Sequence, residues 1–165
     1  MCGYCSGTKK LQWVSTTSPI TGLKVKEAVK KRQASLVTVE TLQPAIDTLS
    51  NITNLALQHF PTHPAQFGNT VLGVTKAVLE ANLVDAAVAQ QAPAFVQRLT
   101  SALQGTSWEA LEAATGQNRA QWAEAATVLA KANRLVILVG NGVLRHPGGD
   151  ATVTNLLDLL ILLGK

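Results

Sequence analysis

Apolar residues recur along this chain with two periods, one typical of strands and one typical of helices. Short runs rich in β-branched or other apolar residues, typical of strands, lie at residues 11–15, 35–39, 54–58 and 134–139. A helical pattern over residues 20–32 separates the first two runs. This order of strand, helix and strand predicts a parallel sheet, because parallel neighbours are joined by a crossover that is usually a helix.

Five or six helices are predicted around this sheet. The longest apolar stripe, over about residues 66–81, carries large residues at helical spacing, namely Phe67, Val71, Val74 and Val78. Residues 86–103 continue with a helical pattern that Pro93 must interrupt, because proline lacks the amide hydrogen that a helix interior requires. Residues 42–54 fit either a turn or a short helix.

Capping signals divide the chain after residue 105. Thr106 and Glu109 have the spacing of a capping box, and Gly116 is placed to end that short helix in a left-handed conformation. Asn118 and Gln121 repeat the spacing before a helix with an apolar stripe. These signals predict two consecutive helices that lead into the strand-like run at 134–139.

The last helix is expected to begin at Asp150 as its cap and to continue through Leu163. Its apolar residues lie on nearly all sides, and such a helix requires covering protein. We therefore expect residues 11–165 to be one α/β domain, present in part, with a parallel sheet flanked by helices. Residues 1–10 are expected to form a disordered terminus.

Composition supports a folded, soluble chain. Of the 165 residues, 47% are hydrophobic and 15% charged, which excludes a disordered or polyelectrolyte protein. No apolar run reaches the ~20 residues that a membrane-spanning helix requires. The first residues lack the basic start and apolar stretch of a secretory signal, so we expect a cytoplasmic location.

The net charge of +4 comes from the start of the chain. Residues 1–40 hold seven Lys and Arg against two Glu, and most of these cations lie on the predicted helix at 20–32. No aromatic residues or nucleic-acid-binding motif accompany them, so we expect a solvated helix face and no nucleic-acid partner.

Few residues suggest chemistry by their pattern. Cys2 and Cys5 form a single CxxC, and a zinc site needs four ligands, so no metal site is predicted. Gly140 and Gly142, directly after the run at 134–139, form half of a dinucleotide-binding fingerprint. Arg145 and His146 follow this turn and are the polar pair that we expect over an anionic ligand. No nucleophile with a base beside it is evident, and no catalytic residue is predicted.

Several strings, taken in order, resemble the molybdopterin oxidoreductases. The first, Pro19 to Glu40, resembles a helix followed by a strand with an acidic end. The others are Val71 to Asp85, Ala94 to Val96, Ala113 to Gly116, Trp122 to Val143, and His146 to Leu163. The resemblance covers roughly residues 11–165. It implies a Rossmann-like domain of the type that binds a dinucleotide cofactor.

The resemblance also implies which residues face that cofactor, a pterin-guanine dinucleotide held at strand ends. The implied contacts are Thr16, Ser18, Glu40, Thr62, Gly140, Asn141, Gly142 and His146. Several loops differ from the family pattern, as where Pro61-Thr-His-Pro64 replaces a Pro-Gly-Thr-Asp-like string. Either retention or loss of the cofactor agrees with this pattern, and the iron–sulfur cluster of such proteins is expected only in parts outside this chain.

Within the family, the large iron–sulfur subunit of NADH:quinone oxidoreductase is the nearest match. The resemblance therefore implies a scaffold domain in electron transfer, with other subunits of a respiratory or dehydrogenase complex as partners and a possible peripheral place on the inner membrane face. One alternative is the central fragment of a formate dehydrogenase-like molybdenum enzyme. A third is the central domain of a thiamine-diphosphate enzyme, which Ala130 to Gly140 resembles.

Overall fold

A computed structural model describes residues 19–40 and 52–165. The predicted strand at 11–15 and most of the ambiguous stretch at 42–54 lie outside these residues. The elements are α1 (Pro19–Arg32), β1 (Val37–Glu40), β2 (Gln58–Pro61), α2 (Phe67–Glu80), α3 (Ala86–Gln91), α4 (Pro93–Gln104), α5 (Trp108–Thr115), α6 (Arg119–Lys131), α7 (Asn141–Leu144) and α8 (Gly149–Leu162). Short 3₁₀ turns at Thr53–Leu55 and Pro64–Gln66 flank β2.

The described residues are mostly helical around a small parallel sheet, in agreement with the α/β class. β1 and β2 pair in parallel, with Val37 opposite Gln58 and Glu40 opposite Pro61. The second strand begins later than the predicted run at 54–58, because residues 53–55 form a 3₁₀ turn. Pairing starts where the amide of Leu57 donates to the carbonyl of Leu36 at 2.8 Å.

The prediction of a strand at 134–139 is wrong for the described structure. This stretch has no regular secondary structure, and its backbone makes no hydrogen bond to another described backbone group. Apolar, β-branched composition favours an extended chain, but a strand also requires the backbone of a neighbour. Composition alone could not supply that neighbour.

The core forms around α2, as its apolar stripe predicts. Val71, Val74 and Val78 are buried on one face of this helix. α2 packs mainly against α6 and α8, and also against α5. The partners contribute further large buried side chains, among them Leu111, Trp122, Leu159 and Leu162. Phe60 of β2 joins the same cluster, so one core links the sheet to the helices.

Two helix starts differ from the prediction by one or two residues. Ser107, and not Thr106, caps α5, because its hydroxyl accepts from the amide of Ala110 at 3.1 Å. α8 begins at Gly149 after Gly148 in a left-handed conformation, so Asp150 lies in the first turn and is not the cap. An acidic residue there still favours the helix through its dipole.

Other boundary predictions are confirmed. Pro93 separates α3 from α4 and begins the second of these helices. Asn118 and Gln121 form a complete capping box, and Gly116 ends α5 with φ of +72°. The apolar α8 buries Leu159 and Leu162 while Leu157 and Ile161 stay exposed. Among the described residues, no helix has the length and apolar character needed to cross a membrane.

Gly73 should be the most sensitive glycine in the core. A Cβ at this position would lie 2.5 Å from Cε2 of the buried Trp122 side chain. We expect Gly73→Ala to lower the free energy of unfolding by about 1–3 kcal/mol, as overpacking does in tight cores. Urea unfolding measures this change.

Gly105→Ala is the matched control, because Gly105 has a helical φ of −73° and open space around its Cα. Equal loss of stability in both variants would contradict the close contact of α2 with α6.

Candidate functional site at the strand ends

The carboxyl ends of the strands and the amino ends of two helices share one edge of the molecule. Glu40 and Pro61 are opposite each other at the ends of β1 and β2. α2 follows β2 after a short turn, and α8 begins beside it, since a Cβ at Gly68 would lie 3.3 Å from Oγ1 of Thr152. In open α/β sheets, ligands bind at this edge.

A cleft of about 230 Å³ opens at this edge between the start of α2 and the start of α8. Its polar side chains are neutral amides, a hydroxyl and an imidazole, namely Asn69, His146, Thr152 and Asn155. The residue before α8 is Gly148, which has no side chain to cap the amino end of this helix. First-turn amides carry a partial positive charge, so the cleft favours a small anion over a cation.

His146 is thus placed at the predicted edge. Its Nδ1 lies 2.6 Å from the carbonyl oxygen of Pro147, to which it donates. This bond fixes the proton on Nδ1 and leaves Nε2 as the other hydrogen-bonding atom of the ring. Val143 and Gly149 are also in the cleft wall, so the loop after residue 140 contributes to the site.

The fingerprint role of Gly140 and Gly142 stays a prediction. Neither residue has a positive φ, and a Cβ on either would meet no atom of the described residues within 4 Å. Gly148 and Gly149 are the constrained pair in this loop. Gly148 has φ of +89°, and a Cβ at Gly149 would lie 2.3 Å from the carbonyl oxygen of Val143. Asn141 is the first residue of α7.

Glu40 ends β1 at the same edge and is half-buried. One of its carboxylate oxygens accepts a hydrogen bond of 2.5 Å from the hydroxyl of Thr53. Its charge also acts on His59 of the neighbouring strand. Glu40 is therefore tied to the 3₁₀ turn that precedes β2.

Thr62, in contrast, faces the interior and is fully buried. Its hydroxyl accepts from Nε2 of Gln117 at 2.5 Å and lies 3.3 Å from the hydroxyl of Thr70. The carbonyl of Phe60, at 3.2 Å, is an acceptor for the same hydroxyl. These internal bonds occupy the Thr62 hydroxyl, and Thr62 is not among the described residues that line the cleft.

Gln117 is the residue that sequence reasoning missed. It is buried, and its Oε1 accepts from the indole N–H of Trp122 at 3.1 Å while its Nε2 donates to Thr62. Its position one residue after a helix-ending glycine gives no signal of burial. Thr16 and Ser18 lie outside the described residues, so their predicted contacts stay predictions.

His59 has a pKa below its ordinary value of 6.5, because burial disfavours the charged imidazolium. The carboxylate of Glu40 opposes this effect but does not cancel it. Nδ1 of His59 lies 3.0 Å from the hydroxyl of Thr38, its partner across the two strands. His59 is a structural residue of the sheet beside the candidate site.

Comparison with known proteins gives a likeness of fold. No family model matches the sequence, and no curated protein matches it. Acetylene hydratase from Pelobacter acetylenicus is similar in structure, with a TM-score of 0.73 over 90% of this chain at 15% identity. This chain has a molybdopterin oxidoreductase-like fold. It spans 19% of the length of the hydratase chain.

The lowered pKa of His59 predicts that stability depends on pH. The unfolded chain binds a proton near pH 6.5 and the folded chain only at lower pH, so protonation favours unfolding. We expect the free energy of unfolding to fall as pH decreases below 6.5, and His59→Gln to reduce this slope. Denaturant unfolding between pH 4.5 and 8 measures it. The control Thr154→Val, at an exposed residue without a titratable group, should retain the slope.

The buried hydrogen bonds of Thr62 should stabilise the folded state. Thr62→Val keeps the shape of the side chain but removes an acceptor from Gln117. Leaving a buried polar group without its partner costs about 1–3 kcal/mol. Thr154→Val is the control, since Thr154 is exposed on α8 and should change stability by less than about 0.5 kcal/mol. Equal melting temperatures of the two variants in thermal unfolding would contradict a stabilising role of the Thr62 hydrogen bonds.

Proposed function

We propose that this chain is the α/β scaffold part of a larger molybdopterin-type oxidoreductase, nearest the large iron–sulfur subunit of NADH:quinone oxidoreductase. The likeness of fold to acetylene hydratase supports the family-level part of this proposal. The chain spans only 19% of that protein, so a catalytic centre would be shared with other parts. In this role the domain positions neighbouring subunits beside an electron-transfer path.

The observation that favours a scaffold role is that polar side chains at the strand ends form hydrogen bonds within the domain. Thr62 is bonded internally to Gln117, and Glu40 accepts from Thr53. Of the residues proposed to hold a cofactor that the structure describes, His146 alone borders the cleft. The edge therefore contributes more to holding the domain together than to presenting ligand contacts.

The described residues also do not fit a whole pterin-guanine dinucleotide. Their cleft of about 230 Å³ is below the ~300 Å³ at which pockets for drug-sized ligands begin. Neither Lys nor Arg lines it to neutralise a diphosphate. We therefore derive no reaction step that uses such a cofactor.

A cofactor-binding fragment of a formate dehydrogenase-like enzyme is the second candidate. The uncapped amino end of α8 beside Asn69 and His146 favours it, because these groups suit a single phosphate. The thiamine-diphosphate alternative receives no such support. Its resemblance used Ala130 to Gly140, which includes the irregular stretch after α6.

Analysis of the native assembly distinguishes the first two candidates. The protein is purified with its natural neighbours and tested by elemental mass spectrometry and by fluorescence of oxidised pterin. The scaffold role predicts iron without pterin, molybdenum or tungsten. Pterin together with either metal would overturn it in favour of the cofactor-binding enzyme.

A titration of the whole chain with GDP, followed by NMR, tests the strand-end edge directly. The scaffold role predicts no saturation below about 1 mM in the wild type, which corresponds to less than about 4 kcal/mol of binding. Saturable binding would contradict it. Loss of that binding in Glu40→Ala, with retention in the control Glu109→Ala at an exposed position of α5, would then assign Glu40 to the nucleotide site.

A further inference from the structure

The excess positive charge of this protein lies on one helix. α1 carries five cations and a single carboxylate, which are Lys24, Lys26, Lys30, Lys31, Arg32 and Glu27. The rest of the chain holds nine Lys and Arg and nine Asp and Glu, so its charges sum to zero. α1 therefore has the whole net charge of +4 and attracts anionic partners to this part of the surface.

The exposed face of α1 combines these cations with two large apolar residues. Ile20 and Leu23 are 77% and 63% exposed, and they lie one turn apart. Lys24 and Lys31 are spaced to lie on the same face and are also exposed. Val25 is half-buried on the opposite side. The outer face thus suits a partner that accepts apolar groups and cations together.

Most of the charge on this face is available to such a partner. Glu27 accepts a hydrogen bond from Lys24 at 3.1 Å and lies 3.9 Å from the ammonium of Lys31. These pairs are exposed and are weakened by salt, so they contribute little. Lys30 and Arg32 are exposed and form no ion pair with a described residue. Their long side chains can reach an anionic surface beside the helix.

The helix dipole explains only part of this arrangement. Lys30, Lys31 and Arg32 lie in the last turn, where cations stabilise a helix. This effect gives no reason for two exposed apolar residues at the other end of the same helix. Those residues require a partner with an apolar layer close to its charges.

We propose that the exposed face of α1 binds an anionic lipid surface, with the helix in the plane of the headgroups. Helices of this kind insert apolar side chains at the boundary of headgroups and acyl chains, and their cations meet acidic headgroups. Clusters of about four to eight Lys and Arg on such helices bind acidic lipids. α1 has five of these cations, and Ile20 and Leu23 supply the apolar part.

Nucleic acid fits this face less well. α1 contains no aromatic residue on which a base could stack, and Ile20 and Leu23 would find no apolar partner on a phosphate backbone. The attachment is at the membrane surface, since it requires no spanning helix. It does not depend on the proposed function, which concerns protein neighbours.

Sedimentation of the whole chain with vesicles tests the proposal. We expect binding to vesicles of equal parts phosphatidylglycerol and phosphatidylcholine, and none to phosphatidylcholine alone. Binding should fall as salt rises from about 0.1 M to about 1 M, because the screening length shortens from about 10 Å to about 3 Å. Binding to neither kind of vesicle, or equal binding to both, would overturn the proposal.

A double charge variant locates the contact. Lys30→Gln with Arg32→Gln should weaken binding at least about tenfold, since each cation near an anionic membrane contributes about fivefold. The matched control is Lys131→Gln with Arg134→Gln, which removes the same charge at exposed positions at and just after the end of α6. Equal weakening by the two double variants would overturn the proposal, because net charge and not α1 would then decide binding.

An apolar variant separates lipid from other anionic partners. Leu23→Gln should weaken binding to the anionic vesicles at least about threefold, because a membrane takes up the leucine side chain. Leu157→Gln is the control, since Leu157 is 53% exposed on α8. Far-ultraviolet circular dichroism verifies that both variants keep their helices. Full binding by Leu23→Gln would overturn the proposal and indicate a face that recognises any polyanion, such as a nucleic acid.

Discussion

The contact between Trp122 and Gly73 is the constraint on which the described structure depends. The indole is fully buried on α6, and it lies so close to α2 that no side chain fits at Gly73. Its N–H donates to Gln117, which in turn bonds Thr62 after β2. One side chain therefore fixes the separation of two helices and, through a buried amide, the position of the strand end.

A second cluster extends this arrangement toward the surface. Trp108 of α5 stacks on Trp122 with ring centroids 5.5 Å apart, and its N–H donates to Glu80 of α2. Lys76 lies under the same cluster, where its ammonium donates to the carbonyls of Leu103 and Thr106. These carbonyls are at or just after the carboxyl end of α4, where a cation is favourable. The buried lysine thus has a structural use and joins α2 to the end of α4.

The consequence for function is that the polar groups near the strand ends divide into two sets. Thr62 and Gln117 bond each other in the interior. Asn69, His146 and the amino end of α8 line a small cleft. A likeness of fold to a protein named as a hydratase does not decide between these uses, since a fold supports many chemistries and function depends on the site. The proposed scaffold role is supported more by the absence of Lys and Arg from the described lining of the cleft than by the fold.

The sequence by itself determined the elements whose signals are local. The stripe of α2, the break at Pro93, the capping box at Asn118 and the left-handed Gly116 all follow from side chains within a few residues of each other. Tertiary structure decided the rest. The burial of Gln117 depends on Trp122 and Thr62, and residues 134–139 need a neighbouring backbone to become a strand. Local preference sets the conformation of a segment, but pairing and burial depend on which distant residues lie against it.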